Sequence, residues 1–332
     1  MTGDIIRAHL RNGELLLARV AATACLETAS DDPELGEIYA LLSRAWFRLG
    51  QPRKAMDAAE QAAQLTDHWE ASLSLAEAMV GLGDPLPARS LLSTALSTVR
   101  QEGSEARPEA GQVDAEIQVG AALAEACRAA GDPDTGIDVA SRALSWAERY
   151  MGYKTPETAD ALHALGVCLH GSGRDEEAFK VLERALKIRR VHAPGTTSVA
   201  GTLDALAVVQ RNLRKPFKAV KLHQEALKIW TQTVGEHASP LGACRHSYAQ
   251  ALHRTGDFLG AKTEMEIALT ITARNLGQDH VDTWITRFEL GRFEMDVGEM
   301  EEGLRHMEEA RKIVAERLGT HHPVVKAMDR WL

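Results

Sequence analysis

The apolar positions of this chain recur at helical spacing and almost nowhere alternate. Leu162, Leu165 and Leu169 follow one another at intervals of three and four residues, the period of one face of an α-helix. Ala and Leu supply most of the apolar content, and Val/Ile runs of strand length are scarce. An all-α fold is predicted.

Each helical stretch runs into a turn signal, and small residues follow at fixed offsets. Gly50 precedes Ala55 and Ala62, Gly83 precedes Ala88 and Ala95, and Gly131 precedes Gly136 and Ala143. Gly173 leads to Ala178 and Ala185, Gly256 to Ala261 and Ala268, and Gly298 to Gly303 and Ala310. Arg214 replaces the glycine ahead of Ala219 and Ala226, and Gly13, Ala18 and Cys25 form a weaker first copy. From Gly131 onward the anchors recur every 41 or 42 residues. The step from Gly83 to Gly131 is longer because it contains a Gly/Pro/charge-rich stretch at 101–112, which reads as an extended loop.

The unit has a simple physical logic. Glycine at the anchor ends one helix in a left-handed conformation. Asp84-Pro85, Asp132-Pro133, Gln51-Pro52 and Lys215-Pro216 then start the next, where Asp suits the N-cap and Pro the first helical position. Small residues seven apart on the second helix let the two approach closely. One such pair cannot bury its own apolar face, so neighbouring pairs must stack.

These offsets resemble the tetratricopeptide repeat, whose usual unit is about 34 residues. The later copies, at 42 residues, resemble the kinesin light chain type. Leu276-Gly277-Gln278-Asp279-His280-Val281 and Leu318-Gly319-Thr320-His321-His322-Pro323 match that family's Leu-Gly-x-x-His-Pro junction. Segments 151–156 and 234–237 match more loosely, and 193–196 departs from it. The resemblance covers residues 34–332 and fits 1–33 poorly. It implies a right-handed α-α superhelix, a solenoid of helix-turn-helix repeats. The expected organisation is a weak capping repeat at 1–33, two shorter repeats at 34–100, the loop at 101–112, five longer repeats at 113–322 and a capping helix at 323–332. No heptad coiled coil is present, so motor function is not implied.

Charge narrows the partners. The formal net charge of -9 repels nucleic acid and anionic lipid. No run of 18 apolar residues exists, and the N-terminus lacks a basic-then-apolar signal pattern. Cys25, Cys127, Cys168 and Cys244 form no CxxC pair. A cytoplasmic setting is expected, without cofactor.

Catalytic templates are missing from the sequence: there is no G-x-x-x-x-G-K-[ST], H-E-x-x-H or G-x-S-x-G. No enzyme activity is expected. The junction histidines His237, His280, His321 and His322 are expected to brace the turn into the next helix, not to bind metal.

By the resemblance, two registers of each first helix line a concave groove. Ten residues before the anchors stand His163, Asp204, His246 and Phe288; three before stand His170, Arg211 and His253. Between them, six before, are Val167, Val208, Gln250 and Arg292, with Glu77 and Glu125 in earlier copies; Asn212 and Arg254 adjoin the row. Three readings stand side by side. The residues form a solvated, self-satisfied lining. Alternatively, Arg211, Arg254, Arg292, His170 and His253 hold carboxylates of an acidic peptide while Gln250 and Asn212 bond its backbone. Finally, His163, Asp204 and His246 form a metal or catalytic site, for which neighbouring helices stand far apart.

The resulting expectation is a protein- or peptide-binding scaffold or adaptor. The alternative is a ligand-gated sensor that binds a small molecule or short peptide in the groove. Groove histidines would also allow a pH-dependent affinity. The chain is expected to be a monomer or homodimer, with Trp46, Trp69 and Trp146 read as packing residues.

Overall fold

A computed structural model describes residues 2–29, 31–102 and 108–332. Among the described residues there are seventeen α-helices and no strand. They run in pairs: α1 (Thr2–Asn12) with α2 (Leu15–Leu26), α3 (Asp32–Arg48) with α4 (Pro52–Leu65), and α5 (Trp69–Gly81) with α6 (Pro85–Glu102). Next come α7 (Ala110–Ala129) with α8 (Pro133–Trp146), α9 (Pro156–Gly171) with α10 (Asp175–His192), and α11 (Thr197–Asn212) with α12 (Pro216–Val234). The last are α13 (Ser239–Thr255) with α14 (Phe258–Leu276), α15 (Val281–Asp296) with α16 (Met300–Leu318), and the short α17 (Pro323–Met328).

The turns follow from the backbone demands of the anchors. Every anchor from Gly13 to Gly298 has φ between 60° and 93°. Arg214, at φ 60°, is the one non-glycine residue with positive φ among those described. Asp132 caps α8 by accepting from Thr135 N–H at 3.2 Å. His280 and His322 brace their junctions through Nδ1, which accepts from Asp282 N–H at 3.2 Å and Val324 N–H at 3.3 Å.

The small residues form the seam within each pair. Ala18, Ala55, Ala88, Ala178, Ala219 and Ala261 are completely buried. Leu73, Leu92, Leu96, Val119 and Leu123 fill one core segment between successive pairs. Trp146 is buried beside Val113 and Ile117, and Trp69 packs on the Leu73 cluster. Trp46 carries Arg19 and Lys54 on its ring.

Part of the loop expected at 101–112, residues 103–107, lies outside the described residues. The rest corrects the expectation. Gln101 and Glu102 close α6, and 110–112 already open α7. Burial of Gln112 and Val113 extends that helix backwards.

Backbone contacts divide the chain into two units, Met1–Val209 and Gln210–Leu332. In the first unit the first helices of successive pairs pack side by side, α3 on α5, α5 on α7 and α7 on α9. In the second, α13 pairs with α14 and α15 with α16. Val325 and Met328 of α17 join Trp284, Phe288, Met307 and Val314 in the terminal core.

Candidate binding faces on the first helices

In the first unit, charged groups from five helices share one field. Arg44 on α3 and Glu77 on α5 bring Nε and Oε2 to 3.4 Å, yet neither atom has hydrogen-bond geometry to a partner. His163 Nε2 on α9 lies 4.0 Å from Glu125 Oε1 on α7, and its Nδ1 is buried without a hydrogen bond. Arg189, near the end of α10, donates to Asp160 Oδ1 at 2.6 Å, to Ser198 O at 3.0 Å and to Thr202 Oγ1 at 2.5 Å. Arg48 donates to the Leu10 carbonyl at 3.0 Å.

Burial and neighbouring charges shift several of these groups. Burial holds the His163 imidazole well below the ordinary histidine value, and Arg189 and Arg128 push the same way. Burial raises the Glu125 carboxyl despite Arg128 and Arg189, with Glu77 and Asp160 adding to the rise. Yet the Glu125 side chain is 43% exposed. That exposure lets solvent moderate the effect of burial on its charge. Burial also lowers Arg48, with Arg44 and Arg189 as like charges and Asp160 and Glu77 opposing.

The other expected residues of this unit divide by their surroundings. Val167, Asp204 and Val208 are partly exposed. His170 is tied to Asp175, Nδ1 to Oδ1 at 2.6 Å, at the start of the following helix. It braces the corner between α9 and α10. Arg44 and Arg189 belong to the polar set but were not singled out from the sequence. Arg44 holds the same register six before Gly50 and was legible there; Arg189 comes from a second helix, which the first-helix register cannot show.

In the second unit three of the expected residues form a directed chain that crosses the registers. Arg211 donates through Nη1 to Gln250 Oε1, and the Gln250 amide then donates to His246 Nε2 at 3.0 Å. Burial lowers the His246 pKa, which suits a ring nitrogen accepting a hydrogen bond. Asn212, next to Arg211 in the chain, and Arg254, four residues after Gln250, are exposed. His253 turns away from it: Nε2 meets Asp296 Oδ2 at 2.7 Å, and the ring stacks on Phe293 at 5.0 Å. Arg292 pairs with Glu289 at 2.7 Å and lies under the Trp331 ring, 3.7 Å from its centroid.

Phe288 corrects the expected groove. It is buried in the terminal core with Trp284, Met307 and Val325. Its register lies at the boundary between face and core. Ala40 and Leu73, at the same register, are also fully buried. An apolar side chain there turns inward because core contact removes it from water, whereas His163 and His246 are only partly buried.

No disulfide joins the four cysteines, and burial pushes the Cys168 thiol up to about 12. Cys168 instead donates to the Ala124 carbonyl at 3.3 Å. No helix among the described residues is long and apolar enough to cross a membrane.

Comparison with known proteins agrees with this geometry. The tetratricopeptide repeat family matches residues 115–190 and 199–239. The kinesin light chain-related protein 1 of Arabidopsis thaliana is 26% identical over 121 residues, 36% of this chain. The match spans only 20% of that relative's length. Among solved structures, BtubC from P. vanneervenii superposes with a TM-score of 0.57 at 22% identity, over 71% of this chain and 92% of that one. A Rap protein in complex with competence and sporulation factor gives 0.66 at 12% identity, over 100% and 95%. The Cut9 assembly with Hcn1 gives 0.64 at 13%, over 97% and 53%. These likenesses show a shared helical solenoid fold. Proteins of this repeat class generally serve as interaction scaffolds and not as enzymes. Residues 115–190 and 199–239 thus carry tetratricopeptide repeats, and part of the chain is similar to a kinesin light chain-related protein.

Proposed function

We propose that the chain is a scaffold that binds an extended, acidic peptide segment of a partner protein along its first-helix faces. The observation that carries this reading is the directed chain Arg211–Gln250–His246. It fixes a guanidinium and an amide on adjacent first helices before any partner arrives, so little side-chain freedom is lost on binding. Exposed Asn212 and Arg254 supply an amide for peptide backbone and a cation for carboxylates. On the first unit, the partly exposed Val167 and Val208 offer apolar contact of their own. His170, His253 and Arg292 take a supporting part, since each is already engaged within the fold.

The test is peptide binding followed by fluorescence anisotropy, using arrays of acidic, neutral and basic extended peptides. Acidic peptides should bind, and a variant with Arg211→Ala and Arg254→Ala should lose about tenfold or more in affinity. Equal binding of acidic and basic peptides, or no loss in the variant, would reject the reading.

A ligand-gated sensor is the second reading. It takes its motive from the fold shared with the Rap protein solved in complex with competence and sporulation factor. It requires a change in small-angle scattering when a short peptide is added; a rigid scaffold gives none.

A further inference from the structure

The last helix pair carries a polar cluster that the binding faces do not use. In three earlier pairs, two facing positions are apolar: Met79 with Leu91, Cys127 with Val139, and Leu169 with Val181. They stand four residues before and eight after the anchor, and Cys127 and Val139 share one core cluster. At Gly298 the same two positions hold Glu294 and His306. The Glu294 side chain is only 6% exposed, and its Oε2 lies 2.8 Å from His306 Nδ1. Burying a carboxylate where other pairs bury an aliphatic group costs free energy unless a cation compensates. A third ligand type stands one turn away: Glu302 precedes His306 by four residues on α16 and is exposed.

The helix crossing explains why these groups converge. Gly291 on α15 and Gly303 on α16 meet backbone to backbone. Glu294 lies about one turn from Gly291, and Glu302 and His306 flank Gly303. One oxygen of Glu294, one of Glu302 and a ring nitrogen of His306 all lie within 4.8 Å of one another. Lys262 on α14 also faces Glu294, but its ammonium is held by Glu299 at 2.5 Å and Glu266 at 3.6 Å. Arg305 pairs with Glu302 at 3.3 Å on the exposed side. That pair is solvent-exposed and therefore weak.

We propose that Glu294, Glu302 and His306 form a binding site for a first-row divalent cation of the Zn²⁺ class, clamping α15 to α16. Two carboxylates and one imidazole suit Zn²⁺, with water in the fourth position. Ca²⁺ and Mg²⁺ prefer more oxygen ligands and no imidazole. Zn–N and Zn–O bonds of about 2.0–2.2 Å need only small rotamer shifts from the observed spacing. The cation would compensate the buried Glu294 charge and replace Arg305 at Glu302.

The experiment titrates Zn²⁺ into the chelator-stripped full chain by calorimetry, with thermal unfolding alongside. The wild type should bind one more equivalent than Glu302→Ala and His306→Asn, whose affinity at this site should fall on the order of 10–100-fold. Zn²⁺ should raise the unfolding temperature of the wild type and not of either variant. If His306→Asn fails to fold, Glu302→Ala decides alone, because its side chain lies outside the core. Identical Zn²⁺ stoichiometry and affinity in wild type and Glu302→Ala would overturn the proposal. So would a wild type that retains no Zn²⁺; Glu294 and His306 would then be a buried ion pair only.

Discussion

A methyl group on Gly291 would stand 2.6 Å from the carbonyl oxygen of Gly303, and one on Gly303 would stand 2.5 Å from the carbonyl oxygen of Gly291. The obstacle in each case is backbone, so no side-chain rotation relieves it. Gly303→Ala should therefore destabilise the protein by about 1–3 kcal/mol, despite the better helix propensity of alanine. Gly111→Ala is the control. Its added methyl meets nothing within 4 Å. It should be neutral or stabilise by up to about 1 kcal/mol. Chemical denaturation of both variants checks the contrast.

Glu116 is 1% exposed in its side chain and accepts from Arg100 Nε at 2.6 Å and Nη2 at 2.9 Å, while Arg142 lies at 3.4 Å. The two arginines are 35% and 39% exposed. The partners are therefore unequal. Arg100→Ala leaves a buried carboxylate with only the longer Arg142 contact and should cost about 3 kcal/mol. Glu116→Gln leaves two arginines that can turn to water and should cost less, about 1–2 kcal/mol. Equal losses in urea unfolding would count against this ordering.

Arg214 adopts φ 60° where the other repeat anchors are glycine. A side chain in the left-handed region costs about 1–2 kcal/mol. Arg214→Gly recovers part of that and gives some back as entropy of the unfolded chain. A net gain of up to about 1 kcal/mol is expected, read as a higher denaturation midpoint with an unchanged slope.

Burial lowers the pKa of His163 strongly and of His246 less. As pH falls below the unfolded value of about 6.5, the unfolded chain takes up protons that the folded chain refuses. Stability should hold above neutral pH and then fall, by at most about 1.4 kcal/mol per pH unit for each histidine. Glu125 opposes this, because its raised carboxyl lends stability as pH drops towards the ordinary carboxylate range. His163→Gln should flatten the decline between pH 7 and pH 5. A decline as steep as that of the wild type in urea midpoints would exclude His163 as its source.

The repeat register was legible because each unit must solve the same local problem with the same residues. Gly50 or Gly256 must end a helix with positive φ, and Ala178 or Ala261 must sit where two helices nearly touch. Such demands act within about forty residues of chain, so they leave a periodic mark. The turn-bracing part of His280 and His322 was legible for the same reason. What the sequence could not fix was the direction of each side chain at the border between face and core. Phe288 shares the register of His163 yet lies in the core, and His253 leaves the row of Arg211 for Asp296. Those outcomes depend on which neighbours offer an apolar pocket or a carboxylate. The meeting of Glu294 with His306 likewise depends on how closely two backbones cross at Gly291 and Gly303. Local spacing determined the helices and their turns; the packing of one pair on the next decided which polar groups meet, because only packing sets distance between residues far apart in the chain.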